Sequence, residues 1–267
     1  MLRTRVLSAL VFVPIAAWVI WAGGWWFFAA VALVAGLAGY EFGQLLRQGN
    51  YAPVTVFTLT IVGVFLLDAQ FPSLNIALPG LTWILIVSIS WQLFQARDKI
   101  PTTNWALSVA GGLYVGLLSA HAILLRGLPQ GFAWMIAAVL ITWIGDSTAY
   151  FVGKAFGRRK LWPRLSPRKT WEGLLGGIAG SLLTGALVGY VMMLWTGAIG
   201  PVHGLVIGLL GGIIGPFGDL TISMMKRQVN AKDSSHIIPG HGGVLDRTDS
   251  LLFIITTTYY YAIWFAG

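Results

Sequence analysis

Long, continuous apolar runs constrain the fold of this chain more than any other feature of its 267 residues. The hydrocarbon core of a bilayer needs about 20 apolar residues per helix, and backbone polar groups within it must be satisfied inside the spanning element. The runs do not alternate between polar and apolar residues, as the strands of a membrane barrel do. They therefore predict an all-α integral membrane protein, a polytopic bundle of transmembrane helices.

The predicted spans number about nine, counted from apolar runs between polar, proline or glycine breaks. They are residues 6–22, 25–46, 54–69, 74–94, 105–125, 132–152, 174–196, 202–223 and 250–266. Only 10% of the residues are charged, against about 25% in soluble domains. Arg3 and Arg5 ahead of the first run leave a signal peptide as the alternative, but the length of that run and the aromatic stretch behind it favour a helix.

The basic residues predict the orientation of the chain, because Lys and Arg collect in cytoplasmic loops. With the N-terminus in the cytoplasm, all but one of the 17 basic residues fall on the cytoplasmic side, and Arg126 is the exception. The cytoplasmic loops are then 153–173 and 224–249. Such loops beside anionic lipid account for the formal charge of +8, so nucleic-acid binding is not predicted.

The polar chemistry is predicted to lie in the C-terminal half. The chain has no cysteine, which excludes disulfides, thiolate nucleophiles and Cys-ligated zinc. Most of the nine acidic residues follow residue 140; these are Asp146, Glu172, Asp219, Asp233, Asp246 and Asp249. We therefore expect residues 1–130 to form a transmembrane scaffold and residues 131–267 to form the catalytic region.

Asp219 lies near the cytoplasmic end of the predicted eighth span. At 100° per residue, Asp219, Ser223 and Lys226 fall within about 60° of one another on one helix face. An ionisable group within a span is costly and suggests function. The alternative is a structural ion pair that holds helices together.

Asp246 and Asp249 share one face at the start of the predicted ninth span. Acids there can cap free N–H groups and interact favourably with the helix dipole, so a structural role is the alternative to metal binding. The preceding "PGHGG", residues 239–243, is a loop whose bare backbone can approach an anion closely. For His241 three roles remain open: phosphate binding, acid–base catalysis and hydrogen bonding within the turn.

The other basic loop is mostly explained as a solvated cytoplasmic segment. The exceptions are Lys169 and Glu172, in "SPRKTWEG" ahead of the seventh span, and Asp146 is a further carboxylate within a span. Carboxylates that can hold Mg²⁺, flanked by Lys, Arg and a glycine-rich turn, favour phosphoryl or nucleotidyl transfer.

The segment from Ser223 to Asp249 resembles the signature of the phosphatidate cytidylyltransferases, or CDP-diacylglycerol synthases. Their pattern is S-x-x-K-R-x4-K-D-x5-P-G-H-G-G-x-x-D-R-x-D, and every fixed position matches "SMMKRQVNAKDSSHIIPGHGGVLDRTD". "GDSTAYFVGKAFGRRK" and "SPRKTWEG" look like further motifs of that family. The resemblance is firm over residues 145–250 and rests on hydropathy alone in the N-terminal half.

The resemblance implies transfer of the cytidylyl group of CTP to phosphatidic acid, giving CDP-diacylglycerol and pyrophosphate for phospholipid biosynthesis. It implies a Mg²⁺ requirement, allows a second metal ion, and points to a homodimer. The active site would lie on the cytoplasmic side of a bacterial inner membrane.

The resemblance also assigns residues. Asp219 and Asp246 would bind metal, and Asp249 would be a ligand or a helix cap. Lys169 and Lys226 would act with these acids in catalysis by holding phosphates. The predicted substrate-binding residues are Ser223, Arg227, Lys232, His241, Gly242, Gly243, Arg247 and Glu172.

Two other functions are compatible with parts of the pattern. A CTP-dependent kinase of a polyprenol or similar lipid alcohol would use similar cations but transfer the γ-phosphoryl group. A transporter of anions would also place polar residues in spans. Against transport, the polar groups cluster at one face of the membrane, and the sequence shows no matched pair of broken helices.

Overall fold

The computed structural model describes residues 2–95, 98–197, 199–235 and 242–266, with side chains from residue 12 onward. These residues are mostly helical. The α-helices are α1 Leu2–Ala22, α2 Gly24–Arg47, α3 Thr55–Gln70, α4 Ala77–Leu93, α5 Pro101–Gly112, α6 Leu118–Gly127, α7 Gly131–Phe156, α8 Trp171–Thr196, α9 Pro201–Gln228 and α10 Leu245–Phe265. A 3₁₀ turn precedes α4 at Pro72–Leu74, and a π-helical turn at Leu113–Leu117 joins α5 to α6.

Each predicted apolar run coincides with helix to within a few residues, and the run 105–125 is shared by α5, the π-helical turn and α6. Among the described residues, five helices are long and apolar enough to cross a membrane: Gly24–Arg47, Pro101–Gly127, Gly131–Phe156, Trp171–Thr196 and Pro201–Gln228. Phe12–Ala22, Thr55–Gln70 and Ala77–Leu93 are apolar but shorter. The predicted all-α membrane architecture is confirmed, whereas the number of spans and their orientation stay predictions.

A short antiparallel hairpin interrupts the predicted loop 153–173. Strand β1 (Lys160–Trp162) pairs with β2 (Ser166–Thr170). Strands this short within a basic loop carry no alternating hydrophobic pattern, so the sequence did not predict them. Strand β2 runs directly into α8, whose N-cap is Thr170: its side chain accepts a hydrogen bond from the Gly173 N–H at 3.1 Å.

The chain divides into two compact units that are each discontinuous in sequence. The first unit comprises Met1–Leu124 and Met225–Arg247, and the second comprises Leu125–Met224 and Thr248–Gly267. The last turn of α9 and the start of α10 therefore belong to the same unit as the N-terminal helices. The functional division into a scaffold and a catalytic region stays a prediction.

In the first unit, α3 packs against α2, α4, α5 and the π-helical turn. Gly116 permits a close approach of the π-helical turn to the backbone of α3, because a Cβ at that position would lie 2.7 Å from the Val62 Cα. Ser108 adds polar contacts, accepting from the Val54 N–H at 2.8 Å through its hydroxyl and from the Thr58 hydroxyl at 3.0 Å through its carbonyl. Small residues and buried hydroxyls thus join these helices, as is common within membranes.

In the second unit, glycines let helix backbones approach closely. A Cβ at Gly177 of α8 would lie 2.9 Å from the Ala149 Cβ of α7, and one at Gly208 of α9 would lie 2.9 Å from the Leu182 Cα of α8. Small residues of this kind replace the hydrophobic driving force that lipid cannot supply between helices. The tight packing holds α8 close to α7 and to α9.

Candidate active site

Two of the predicted catalytic residues meet in the second unit. Lys169, near the end of β2, forms an ion pair with Oδ2 of Asp219 on α9. Their side chains are 28% and 35% exposed, so both charges remain partly solvated. We call this the open pair. It joins two motifs that lie far apart in the sequence.

Ser223 supports the same carboxylate one turn further along α9. Its hydroxyl donates to Oδ1 of Asp219 at 3.4 Å, which confirms that these two residues share a helix face. An ionised carboxylate has about four lone-pair sites. Asp219 can therefore accept a further partner beside the hydroxyl and the ammonium group.

The approach of Lys169 to Asp219 is set by the start of α8. Thr170 caps the helix immediately after Lys169. Glu172, in the first turn, accepts hydrogen bonds from the backbone N–H groups of Arg158 at 3.0 Å and Arg159 at 3.3 Å. These contacts tie the segment before β1 to the start of α8. The predicted role of Glu172 in substrate binding stays a prediction.

A second ion pair lies in the first unit, where α9 ends and α10 begins. Lys226 Nζ lies 2.6 Å from Oδ1 of Asp246, and the two side chains are only 11% and 8% exposed. The other oxygen, Oδ2, accepts from the Ser234 N–H at 2.8 Å, the Ser234 hydroxyl at 2.9 Å and the Gly243 N–H at 3.2 Å. We call Lys226 and Asp246 the buried pair.

The surroundings of Asp246 keep its carboxyl group ionised. Burial by itself would raise its pKa, but the hydrogen bond and charge of Lys226, together with the N–H groups of Ser234 and Gly243, outweigh that effect. The pKa of Asp246 is therefore lowered below its ordinary value. The group is an anion at neutral pH, as both metal binding and pairing with Lys226 require.

Glu41 on α2 is a residue that the sequence analysis missed. It is fully buried, with 0% of its surface exposed. Its Oε1 accepts from the Ser235 hydroxyl at 2.6 Å and the Val244 N–H at 2.9 Å, and its Oε2 from the Ser234 hydroxyl at 3.1 Å and the Leu245 N–H at 2.8 Å. The available signal was a lone acid inside a long apolar run.

The two described glycines of the "PGHGG" loop fit closely around these carboxylates. Gly242 has φ +81°, which favours glycine, and a Cβ there would lie 3.1 Å from Oδ2 of Asp246. A Cβ at Gly243 would collide with the Ser234 hydroxyl and the Glu41 carboxylate. Both glycines thus have a packing role, and their predicted contact with substrate stays a prediction.

The remaining predicted site residues range from buried to exposed. Arg227 donates to the carbonyl of Ala231 at 3.3 Å. Asp249 is buried and accepts from the Ser250 N–H at 2.7 Å, which leaves open whether it is a ligand or a cap. Lys232 and Arg247 are exposed. His241 lies outside the described residues.

Asp146 lies elsewhere in the second unit, where it lines a small open cleft. Helices α7, α8, α9 and α10 form this cleft, with Thr142 and Ser181 as its hydroxyl-bearing residues. Asp146 itself is exposed, so the cleft does not enclose its carboxylate.

The donor set of each pair, taken by itself, fits a divalent cation that arrives with its substrate. Within the described ranges, no three His, Asp or Glu side chains gather into a metal-binding cluster. Mg²⁺ needs no such cluster, because it usually binds one or two carboxylates together with substrate phosphates and waters. Asp219, with its partial exposure and free lone pairs, fits that mode directly. Asp246 would have to exchange one of its present donors.

Comparison with known proteins places the whole chain in one family. The profile of the cytidylyltransferase family matches residues 3–265. A phosphatidate cytidylyltransferase of Synechocystis is 35% identical, over 97% of this chain and 96% of the relative. Phosphatidate cytidylyltransferases of Brucella abortus and Pseudomonas aeruginosa are each 34% identical, over 99% and 100% of this chain and 94% and 98% of their own lengths. The chain belongs to the cytidylyltransferase family.

Proposed function

We propose that this chain transfers the cytidylyl group of CTP to phosphatidic acid, giving CDP-diacylglycerol and pyrophosphate for phospholipid biosynthesis. The structural observation that carries this proposal is the occurrence of two lysine–aspartate pairs, Lys169–Asp219 and Lys226–Asp246, within residues 145–250, where the family resemblance is firm. The relatives named phosphatidate cytidylyltransferase support it along nearly the full length of the chain.

Each pair combines the two kinds of group that nucleotidyl transfer requires. The lysine can bind phosphate oxygens and the aspartate can hold a metal ion. Because their charges are opposite, the two side chains neutralise each other until substrate arrives. Mg²⁺, when bound with CTP, would neutralise charge on the triphosphate. As the family resemblance implies, Asp219 and Asp246 would each bind metal, and Lys169 and Lys226 would hold phosphates. Arg247, which is exposed, would add a further cation.

The attacking group would be the phosphate of phosphatidic acid itself. A phosphate monoester has a second pKa of about 6, so this oxygen is mostly ionised at neutral pH and needs no general base. It would form a bond to the α-phosphorus of CTP while the bond to the β-phosphate oxygen breaks and pyrophosphate leaves. The role of the protein is then to align two anions and neutralise their charge. No covalent cytidylyl-enzyme is expected.

We propose that the reaction takes place at the cytoplasmic face of a bacterial inner membrane. The asymmetry of basic residues supports a cytoplasmic N-terminus and about nine spans. A cytoplasmic site is where a soluble nucleotide and a membrane lipid can meet. We also propose a homodimer, a feature implied by the family resemblance.

The test is product analysis with purified chain in detergent, supplied with CTP, phosphatidic acid and Mg²⁺. We expect CDP-diacylglycerol and pyrophosphate in equal amounts. CDP as the nucleotide product would identify a lipid kinase instead. Detergent solution has no compartments, so any product formed there comes from catalysis and not from transport. Absence of any product would overturn the proposal and leave transport as the main role.

A further inference from the structure

The buried carboxylate of Glu41 joins two separate stretches of the signature segment, residues 223–249. Ser234 and Ser235 donate to it from one side of residues 236–241, and Val244 and Leu245 donate from the other. Both carboxylate oxygens are used, and every one of these donors is neutral. Glu41 itself lies on α2, far away in sequence.

Burying a carboxylate in this way has a free-energy cost, which indicates that Glu41 has a specific structural role. A carboxylate without access to water loses its hydration and is tolerated only when hydrogen bonds replace it. Here two hydroxyl groups and two backbone N–H groups lie within hydrogen-bonding distance of it. The N–H groups are those of Val244 and Leu245, where α10 begins and helix N–H groups otherwise lack partners. Glu41 therefore fixes where α10 starts, immediately before Asp246.

Ser234 connects Glu41 to the buried pair. Its hydroxyl lies 3.1 Å from Oε2 of Glu41 and 2.9 Å from Oδ2 of Asp246, and its single proton can be donated to only one of them at a time. Its N–H also donates to Oδ2 of Asp246. The position of Ser234 thus depends on Glu41, and Oδ2 of Asp246 is held by Ser234. Oδ1 is left facing Lys226.

We propose that Glu41 is a positioning residue for cytidylyl transfer, which holds Ser234 and the start of α10 so that Asp246 presents Oδ1 toward Lys226. This inference rests on the proposed function. Glu41 would touch neither CTP nor lipid and would act through Ser234 and the backbone at residues 244 and 245. The N-terminal helices, predicted to be scaffold, would then contribute directly to the geometry of the site.

The test is Glu41→Gln in the full chain, assayed in detergent with CTP, phosphatidic acid and Mg²⁺. The amide keeps the side-chain volume but sets an NH₂ group against donors, so at least one of the four contacts must break. We expect kcat per folded molecule to fall at least about tenfold, the size of effect expected when a reacting group is displaced. Hydrogen–deuterium exchange should rise in peptides covering 242–248.

The matched control is Asp68→Asn. Asp68 is an acid of the first unit that also accepts a backbone hydrogen bond, from the Ala77 N–H at 3.0 Å, but it forms no hydrogen bond or ion pair with a described residue of the signature segment. We expect its kcat and its KM for CTP to match those of the wild type. If Glu41→Gln fails to fold, Ser235→Ala replaces it. That change removes one donor at 2.6 Å and should lower kcat severalfold.

The outcomes separate the inference from the proposed function. A wild-type chain that makes no CDP-diacylglycerol contradicts the proposed function. An active wild type, with Glu41→Gln showing unchanged kcat and KM per folded molecule and only a lower melting temperature, contradicts the inference alone, because Glu41 would then be merely structural. Unchanged kcat in Ser235→Ala would contradict it in the same way.

Discussion

The open pair and the buried pair each consist of one lysine and one aspartate, but in different environments. Lys169 and Asp219 are 28% and 35% exposed, whereas Lys226 and Asp246 are 11% and 8% exposed. Asp219 has one further described hydrogen bond, from Ser223, while Asp246 accepts three. The first pair is adapted to exchange partners, and the second is built into the fold.

The difference indicates that two ion pairs with the same proposed role in catalysis can contribute differently to the stability of the fold. Solvent-exposed ion pairs contribute about 0–1 kcal/mol to stability, because water already solvates both charges. Removing one partner of a buried pair costs about 3–5 kcal/mol, since an uncompensated charge remains. We therefore expect the same substitution to affect the two aspartates equally in catalysis and unequally in folding.

The largest effect is expected for Asp246→Asn. The change preserves volume but leaves the Lys226 ammonium buried without a counter-charge. We expect turnover to fall by about a hundredfold or more and the free energy of unfolding to fall by about 3–5 kcal/mol. The measurements are CDP-diacylglycerol formation and reversible unfolding in detergent. A variant as stable as the wild type would show that Lys226 and Asp246 are not a buried pair.

For Asp219→Asn we expect a comparable loss of turnover, because the variant lacks the charge that we propose binds metal, but a change in unfolding free energy of no more than about 1 kcal/mol. The same two assays report it. Near-normal turnover would reduce Asp219 to a structural acid. A loss of stability equal to that of Asp246→Asn would remove the distinction between the pairs.

A smaller effect is expected for Glu172→Gln, which weakens the contacts to the Arg158 and Arg159 N–H groups and so loosens the support of Lys169. We expect kcat/KM for CTP to fall severalfold with the hairpin intact, because hydrogen bonds to an amide are weaker than those to a carboxylate. The measurement is steady-state kinetics, with Asp68→Asn as the control. A hundredfold loss would instead favour direct contact between Glu172 and substrate.

The last prediction is the side of the membrane on which the two loops that carry the lysines lie, where the cysteine substitutions should perturb the protein least. Single cysteines at Arg164 and Lys232 of this cysteine-free chain should be labelled from the cytoplasmic side, and one at Thr196 from the opposite side. All three positions are exposed. Accessibility to a membrane-impermeant thiol reagent in intact cells and inverted vesicles measures this. Labelling of Arg164→Cys and Thr196→Cys from the same side would contradict the topology.

The helices and the two residues of the open pair could be predicted from local sequence, but their pairing and its supports could not. Apolar runs indicate helices wherever they occur, and the charges of Asp219 and Lys169 are conspicuous next to them. The hairpin lacks a periodic pattern. The function of Glu41 depends on contacts with Ser234 and Leu245, nearly the length of the chain away, which no local pattern encodes.

Asp246 likewise shows that sequence can identify a charged residue without identifying its partners. Its position at a helix start left capping and metal binding as alternatives. The structure shows that its carboxylate does interact with backbone N–H groups, and also that it pairs with Lys226, which the helix-face argument placed with Asp219. Sequence spacing identified the charged residues, whereas their partners depend on how the chain folds in three dimensions.

The central claim is that both pairs serve one cytidylyl transfer, and the fate of labelled CTP tests it most directly. CTP labelled at the α-phosphorus and CTP labelled at the γ-phosphorus are supplied in parallel to wild type, Asp219→Asn and Asp246→Asn, with phosphatidic acid and Mg²⁺, at a temperature where all three are folded. We predict that wild type moves the α-label into lipid and releases the γ-label as pyrophosphate, while neither variant transfers label appreciably. Transfer of the γ-label to lipid, or α-label transfer at the wild-type rate by either variant, would contradict the account.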